Sequence, residues 1–294
     1  MPESRPGFDY STAFSRNVGW ITQAELQALR GKRVAIAGLG GVGGVHLLTL
    51  ARLGVGRFNL AENDRFELAN FNRQVGATVS SLARPKLDVL IDMARDINPE
   101  LDIRAFPEGV TEQNLPAFLE NVDLYVDSLD FFAFAARRAT YAACHRLGVP
   151  TTIAVPLGMG ASALTFLDQG MSFEDFFCME GLSEFEQGIR FLVGVSPAML
   201  QRKYVADPMQ VNLRERRGPS TPMACQLCAG IAGTEALKIL LRRGKVLAAP
   251  WGFHFDAFRN RYVKTWRPGG NRHPRQRLMI ALIRRRLAGM GTAQ

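Results

Sequence analysis

Apolar strand patterns alternate with helical patterns from residue 33 onward, and this alternation limits the chain to a small set of folds. A strand, a helix and a further strand recur in that order, which predicts crossover connections and a largely parallel sheet. The predicted strands are RVAIAG (33–38), RFNLAE (57–62), LDIRAF (101–106) and VDLYVDSLD (122–130), separated by helical patterns over 42–53, 80–99 and 133–148. PTTIAVPLG, GASALTFLD and a hairpin pattern over 252–266 supply later strands. We expect an α/β fold with a Rossmann-like, doubly wound sheet and an antiparallel C-terminal extension.

The same pattern divides the chain into five segments. They are a helical lead-in (1–31), a Rossmann-like half (32–167), a crossover segment (168–222), a closing helix and strands (223–267) and a basic amphipathic tail (268–294). The crossover segment mixes aromatic residues, Gly, Pro and the charged run NLRERRGPSTP without a clear period. A long irregular excursion of this kind is either a functional loop or a variable surface insertion.

A glycine-rich turn joins the first predicted strand to its helix. Gly38, Gly40 and Gly43 form the pattern G-x-G-x-x-G, and Gly41 adds a fourth glycine. Glycine lets the backbone approach a phosphate, and a helix N-terminus presents unpaired N–H groups there. The turn therefore predicts a phosphate-binding loop. NAD, FAD, S-adenosylmethionine and ATP all use this geometry, and a tight turn without a ligand is the remaining alternative.

Polar residues after the second strand favour ATP among these ligands. Glu62 stands where an acidic residue binds ribose hydroxyls. The stretch AENDRFELANFNRQ then adds Asp64, Asn70 and Arg73, and Lys86 follows. Arg73 and Lys86 together suit a triphosphate, because arginine binds phosphate through two parallel hydrogen bonds and lysine supplies a mobile charge. An NAD-dependent oxidoreductase would leave both cations unexplained.

A carboxylate at the end of the fourth strand is suited to Mg²⁺, which binds through one or two carboxylates plus phosphate oxygens. Asp127 and Asp130 both lie in VDLYVDSLD, and Asp130 is nearer the expected strand end. Asp130 is our predicted Mg²⁺ ligand. The alternative role for Asp130 is that of an N-cap for the helix expected near Ala133.

These motifs, taken in order, resemble the adenylating domain of the ThiF/MoeB/HesA superfamily, which is related to ubiquitin-activating enzymes. The resemblance rests on GLGGVGG, END followed by N-x-x-R-Q, RPK followed by INP, and D-x-x-D at the fourth strand. FSRNVG (14–19), GTEALKIL (233–240) and FHFDAFRNRYVKTWR are also similar to family segments. The similarity covers roughly 14–167 and 223–267.

The resemblance implies an adenylyltransferase that binds ATP and Mg²⁺ and activates a carboxylate as an acyl-adenylate, with release of pyrophosphate. The implied substrate is the C-terminus of a small ubiquitin-like protein or peptide. Carried onto this chain, it assigns phosphate-loop roles to Gly38, Gly40, Gly41 and Gly43, ribose binding to Glu62, nucleotide binding to Asp64, phosphate binding to Asn70, Arg73 and Lys86, and Mg²⁺ to Asp130. Arg16 corresponds to an arginine that reaches the ATP of the neighbouring subunit in family dimers, so a homodimer is expected.

Two residues depart from the family pattern, and two alternative functions remain open. Glu62 replaces the usual Asp, and Phe131 replaces the Asn that commonly follows the Mg²⁺ aspartate. One alternative is a tRNA threonylcarbamoyladenosine dehydratase-like enzyme, which the GP…M-x-C lead into the late helix favours and the lack of a lysine-rich crossover segment opposes. The other is a partner-binding scaffold that retains ATP without chemistry.

Four cysteines do not form a clear metal site. Many family members hold zinc with two CxxC pairs, but this chain has one such pair, Cys225 and Cys228, at the start of a helix. Structural zinc is therefore not expected. The pair either packs a helix end or provides a reactive thiol, because a helix N-terminus favours thiolate. Cys178 is a candidate thioester acceptor in the crossover segment, and Cys144 is predicted to be core.

The positive charge of the chain is concentrated at its C-terminal end. The net charge is +9, yet ten basic residues and no acidic residue follow Asp256. In RQRLMIALIRRRLAG (275–289) the residues Met279, Ile280, Ile283 and Leu287 share one helical face. Such a helix fits an anionic membrane, RNA, an acidic partner or the surface of its own domain. With no signal-peptide pattern and no long apolar run, we expect a cytoplasmic protein, with peripheral attachment to a membrane as the alternative.

Overall fold

The computed structural model describes residues 7–207, 210 and 218–289, and the described strands form one eight-stranded sheet. In chain order they are β1 (Arg33–Ala37), β2 (Arg57–Ala61), β3 (Asp102–Phe106), β4 (Leu124–Asp127), β5 (Thr151–Leu157), β6 (Gly160–Phe166), β7 (Trp251–Asp256) and β8 (Arg261–Trp266). The order across the sheet is β3-β2-β1-β4-β5-β6-β7-β8. Strands β1 to β5 pair in parallel, and the pairs from β5 to β8 are antiparallel. The predicted α/β fold with an antiparallel C-terminal extension is confirmed.

Helices cover both faces of this sheet. They are α1 (Tyr10–Ala13), α2 (Gln23–Gly31), α3 (Gly43–Arg52), α4 (Lys86–Ile97), α5 (Leu115–Phe118), α6 (Phe134–Leu147), α7 (Phe173–Phe177), α8 (Glu184–Val195), α9 (Pro222–Leu240) and α10 (Pro274–Gly289). Local signals set several ends. A reciprocal capping box of Thr22 and Glu25 begins α2, and Gly148 ends α6 in the left-handed conformation, with φ at 68°.

One predicted helix is shorter in the structure than in the sequence pattern. The expected helix over 80–99 begins only at Lys86, and Val79–Ser81 forms a separate 3₁₀ turn. Pro85 lies immediately before α4, with a non-helical backbone. The residue before a proline avoids the helical region, so the helix cannot continue from Pro85 back toward Ser80. The shortened helix places Lys86 in its first turn.

The crossover segment holds more regular structure than the sequence indicated. It contains α7, the 12-residue α8 and the 3₁₀ turn Leu200–Lys203. Residues 212–217 of the run NLRERRGPSTP lie outside the described residues. The described parts on either side are bound to the turn between β5 and β6, since Met159 N donates to Tyr204 Oη (2.8 Å) and Thr221 Oγ1 donates to the Gly158 carbonyl (2.7 Å).

Helix α9 is the one described helix that is long and apolar enough to cross a membrane. Half of its apolar stretch is buried in the protein, where α9 packs against α3, β5 and β6.

The apolar face predicted for α10 packs against α8, with Ile280 buried beside Ile189 and Val193. That packing corresponds to the domain-surface alternative for the tail, because the apolar face is already covered.

The carboxyl ends of β1, β2 and β4 meet at one edge of the sheet. This is a topological switch point, since β2 and β3 lie on one side of β1 and β4 lies on the other. In open α/β sheets ligands bind beyond such an edge. The glycine turn, Glu62 and the residues after Asp127 all follow these strand ends.

Candidate functional site

The glycine turn after β1 has no room for side chains at two of its positions. Gly38 has φ at +83°, and a Cβ there would lie 2.3 Å from the Ser128 carbonyl oxygen. A Cβ on Gly43 would lie 1.8 Å from the Gly38 carbonyl oxygen. The turn therefore requires glycine for its own close packing, and it ends at the first turn of α3, where N–H groups lack partners within the helix.

Glu62 fixes the glycine turn to the end of β2. Its buried carboxylate accepts hydrogen bonds from Leu39 N (2.7 Å) through Oε2 and from Asn63 N (2.9 Å) and Asp64 N (3.0 Å) through Oε1. The side chain thus spans from β2 to the backbone between Gly38 and Gly40. Each carboxylate oxygen has more than one lone pair, so these bonds leave acceptor capacity for a ligand hydroxyl.

Arg73 and Gln74 lie beside the other two glycines. A Cβ on Gly41 would lie 3.6 Å from Arg73 Cγ, and one on Gly40 would lie 3.6 Å from Gln74 Nε2. The Arg73 guanidinium donates to the Ala69 carbonyl and to Asn72 Oδ1, both at 2.9 Å, and forms no ion pair with the residues described. Gln74 is buried, and its Oε1 has no hydrogen-bond partner in the described structure. The R-Q pair in the sequence was the available signal for Gln74, which the sequence analysis left without a role.

Lys86 is a buried cation whose partner is exposed. The ammonium Nζ lies 3.0 Å from Asp64 Oδ2; the lysine side chain is 6% exposed and the aspartate 67%. The ammonium has three donors, of which this bond uses one. Asn70 is also buried, and its Oδ1 accepts from Glu67 N at 3.0 Å, which shapes the turn before Arg73.

The two aspartates after Tyr125 have different environments. Asp127 ends β4 and is fully buried in an ion pair with Arg137, with Oδ2 2.7 Å from Nε. Burial alone would lower the pKa of Arg137, but the Asp127 carboxylate outweighs burial and the pKa lies above its ordinary value. Asp130 lies three residues beyond the strand end, is exposed, and accepts from Phe132 N (2.9 Å). Asp130 is therefore the aspartate that remains accessible to a ligand.

The cysteines differ from a thiolate site. Cys225 and Cys228 are buried in the first turns of α9, and burial raises the pKa of each thiol. For Cys225 this outweighs the opposing effects of Ser220 and Arg73. The raised pKa values disfavour the reactive-thiol alternative, and the burial of both side chains agrees with the packing alternative. Cys144 is buried as predicted, and burial raises the pKa of the partly buried Cys178.

Arg16 lies far from the glycine turn of its own chain. It is exposed in the 3₁₀ turn Ser15–Asn17, and Asn17 Nδ2 donates to the Arg52 carbonyl (2.9 Å) in the last turn of α3. Since α3 begins at the glycine turn, the length of this helix separates the turn from the segment that holds Arg16 by about 15 Å.

Among the described residues no group of three or more His, Cys, Asp and Glu side chains is arranged to hold a metal ion.

The ThiF family model matches residues 14–278. The chain belongs to the ThiF family. This match spans the sheet, the glycine turn and the crossover segment, and it confirms the resemblance drawn from the motifs.

Curated relatives of this ThiF-family chain carry several names. The tRNA threonylcarbamoyladenosine dehydratase of Bacillus subtilis (strain 168) is 36% identical over 122 residues, which is 41% of this chain and 48% of that protein. The sulfur carrier protein ThiS adenylyltransferase of Escherichia coli (strain K12) is 33% identical over 47% of this chain and 54% of that protein. The E. coli molybdopterin-synthase adenylyltransferase is 26% identical over 69% and 89%. The chain spans about half the length of the first two relatives.

Solved structures share the fold at lower identity. PaaA has a TM-score of 0.65 at 17% identity and covers 90% of this chain and 77% of its own. E. coli MccB, in a crystal with MccA, has a TM-score of 0.66 at 18% identity, covering 88% and 73%. E. coli tRNA N6-threonylcarbamoyladenosine dehydratase has a TM-score of 0.58 at 18% identity, covering 79% and 95%.

Proposed function

We propose that this chain is an ATP-dependent adenylyltransferase that activates a carboxylate, most simply the C-terminal carboxylate of a small protein or peptide. The observation that carries the proposal is the cation at the glycine turn. Arg73 packs beside Gly41 and has no acidic partner among the described residues. Arg73 is half-buried and its aliphatic stem packs on the turn, so it carries a guanidinium close to the N–H groups at the start of α3, an arrangement suited to a phosphate chain.

The residues at the carboxyl edge fit a nucleoside triphosphate as substrate. Side chains are excluded at Gly38 and Gly43; the buried Gln74 places its amide Nε2 beside Gly40, and its Oε1 has no hydrogen-bond partner among the described residues. Glu62 retains acceptor capacity for a ribose hydroxyl, and Lys86 retains two donors for phosphate oxygens. The donor set also fits Mg²⁺, because the exposed Asp130 carboxylate is one hard oxygen ligand and phosphates supply others.

In the proposed reaction a carboxylate oxygen of the substrate attacks the α-phosphorus of ATP. The bond from that phosphorus to the bridging oxygen breaks, and pyrophosphate leaves with the electron pair. Arg73, Lys86 and the N–H groups at the start of α3 would neutralise the charge that accumulates on the leaving group. Asp130 would hold Mg²⁺, which when bound supplies further neutralisation on the phosphate oxygens.

The names of relatives and structural neighbours support this class of reaction. A relative is named as a ThiS adenylyltransferase, another as a molybdopterin-synthase adenylyltransferase, and MccB has been crystallised with ATP and with MccA.

We also propose that the enzyme is a homodimer, with Arg16 at the partner subunit's nucleotide. Its exposed position at the far end of α3 supports a role outside its own site.

A second candidate is activation of the carboxylate on a threonylcarbamoyladenosine in tRNA. The 36% identity to the B. subtilis dehydratase favours it. Both candidates require the same adenylation step and differ in the molecule that carries the carboxylate.

Exchange of labelled pyrophosphate into ATP tests the proposal and separates the candidates. The substrates are a small carrier protein ending in Gly-Gly, a short peptide with a free C-terminus, and modified tRNA; amidated protein, amidated peptide and unmodified tRNA are the matched controls. We expect exchange with one free carboxylate and none with its control. Arg73→Ala and Asp130→Ala should each lower it by about 100-fold or more. Exchange that survives both substitutions would contradict the site assignment.

A further inference from the structure

Helix α8 of the crossover segment reaches the loop that carries Asp130. The buried ring of Phe191 in α8 packs edge-to-face on Phe131 at a centroid distance of 5.0 Å and on Phe134 at 5.9 Å. Phe131 is the residue that replaces the family's usual Asn directly after the aspartate. The departure therefore converts a polar position into an aromatic contact between the Asp130 loop and the crossover segment.

A single buried guanidinium holds the backbone of that loop. Arg137 donates to the carbonyl oxygens of Leu129 (2.8 Å), Asp130 (3.0 Å) and Phe131 (3.2 Å). Its Nε donates to Asp127 Oδ2 at 2.7 Å. Three consecutive carbonyls and the strand-end carboxylate thus converge on one side chain. Since the Asp130 side chain is exposed and has one backbone partner, Phe132 N, its position follows from that of its backbone.

Phe191 also covers the face of this guanidinium. The Arg137 Cζ lies 4.6 Å from the Phe191 ring centroid, and both side chains are 1% exposed. A cation over an aromatic face is attracted to it most strongly when water is excluded, as here. The aromatic ring therefore helps to hold the guanidinium where it donates to the three carbonyls.

We propose that Phe191 is a positioning residue for the Mg²⁺ ligand: by packing against Arg137 and Phe131 it holds the 129–131 backbone so that Asp130 meets the cation of bound nucleotide. The inference rests on the proposed function, which assigns Mg²⁺ to Asp130. It links the crossover segment, through α8, to the metal-binding part of the nucleotide site. Mg²⁺ demands near-ideal octahedral geometry, so a small shift of one ligand lowers its affinity.

The test is the affinity for the ATP analogue AMPCPP, measured by calorimetry in excess Mg²⁺ and again in EDTA. In Phe191→Leu we expect the affinity in Mg²⁺ to fall by about threefold to thirtyfold, the upper end being the full loss of a desolvated cation–π contact. The affinity in EDTA should stay within about twofold of the unmodified protein, since Asp130 acts only through the metal. Phe176→Leu is the matched control, because Phe176 is an equally buried ring that packs edge-to-face on Phe166 and Phe177 instead.

Arg137→Lys provides a second variant if Phe191→Leu folds poorly. A lysine keeps one positive charge beside Asp127 but cannot bond to three carbonyls at once, so the same Mg²⁺-specific loss is expected. An equal loss in Mg²⁺ and EDTA, or a Mg²⁺-specific loss in Phe176→Leu as well, would overturn the proposal in favour of general packing. Asp130→Asn separates the positioning role from the proposed function, through the gain in AMPCPP affinity that Mg²⁺ gives over EDTA. If this gain disappears in Asp130→Asn but stays at the parent level in Phe191→Leu, the positioning role alone is overturned. If the gain persists in Asp130→Asn, the assignment of Mg²⁺ to Asp130 is itself wrong.

Discussion

Asp127 and Asp130 lie three residues apart in one sequence motif and differ in what they can bind. Asp127 forms a fully buried ion pair with Arg137, whereas Asp130 is exposed to solvent. A buried pair of this kind is strongly destabilised when one partner is removed, because the other charge is left without compensation. Asp127 therefore stabilises the fold through its ion pair, whereas the carboxylate of Asp130 is accessible to a ligand.

His46 gives the protein a pH-dependent stability. The ring is buried in α3 with Nδ1 2.9 Å from Ser128 Oγ, and burial lowers the pKa of His46 from 6.5 to about 4. Between these pH values the unfolded chain binds a proton that the folded protein does not, so acid favours unfolding. We expect the free energy of unfolding to fall by up to roughly 3 kcal/mol from this group between pH 7 and pH 4.

Chemical denaturation of two variants across that pH range checks the assignment. His46→Gln should show a shallower dependence of unfolding free energy on pH, and His145→Gln, which changes an exposed histidine, should match the parent. An unchanged slope in His46→Gln would show that His46 titrates alike in both states.

In the proposed function, nucleotide binding depends on the strand–turn–helix of β1 and α3. A Cβ on Gly43 would overlap the Gly38 carbonyl oxygen at 1.8 Å, so Gly43→Ala must displace the turn. We expect Gly43→Ala to abolish the increase in melting temperature that Mg·AMPCPP gives the parent protein. Gly230→Ala is the matched control, because a Cβ there meets nothing within 4 Å on an exposed helix position. Ligand-induced stabilisation that survives in Gly43→Ala would place the nucleotide elsewhere.

Helix α10 is an element of the fold by its packing against α8. Ile280 is 5% exposed beside Ile189 and Val193, while Leu282 on the outer side is 49% exposed. Ile280→Ala should lower the free energy of unfolding by about 2–4 kcal/mol, and Leu282→Ala should change it by less than about 1 kcal/mol. Urea denaturation measures both. Equal, small effects would mean that α10 does not use this face for packing.

At this scale the sequence pattern predicted the sheet well and the crossover segment poorly. Strands β1 to β4 and α6 follow from apolar runs and from Gly148, which act over a few residues. Helix α8 was not predicted, although Ser183 caps it, because its surroundings lack a regular period. The sequence favoured Asp130 for its expected place at the strand end, yet β4 ends at Asp127. What distinguishes the two aspartates is Arg137, which lies on the next helix and meets Asp127 only in the folded chain.

The whole molecule is incomplete as an enzyme if Arg16 acts on the partner subunit's nucleotide, as proposed. Co-expression of Arg16→Ala and Arg73→Ala chains tests this, because each variant retains the arginine that the other lacks. Each alone should be inactive in pyrophosphate exchange. Random pairing should restore about one quarter of the parent activity, since half of the dimers are mixed and each has one complete site. Activity of Arg16→Ala alone at the parent level, or no recovery in the mixture, would contradict the shared site.

We propose that the glycine turn holds Mg·ATP rather than a nicotinamide dinucleotide. Calorimetric titration with Mg·AMPCPP and with NADH tests it without knowledge of the carboxylate substrate. We expect binding of Mg·AMPCPP, no measurable binding of NADH, and at least about tenfold weaker Mg·AMPCPP binding in Arg73→Ala. Arg84→Ala, which removes a surface arginine paired with Asp92, should bind like the parent. Tight binding of NADH with no binding of Mg·AMPCPP would show that the glycine turn does not hold Mg·ATP.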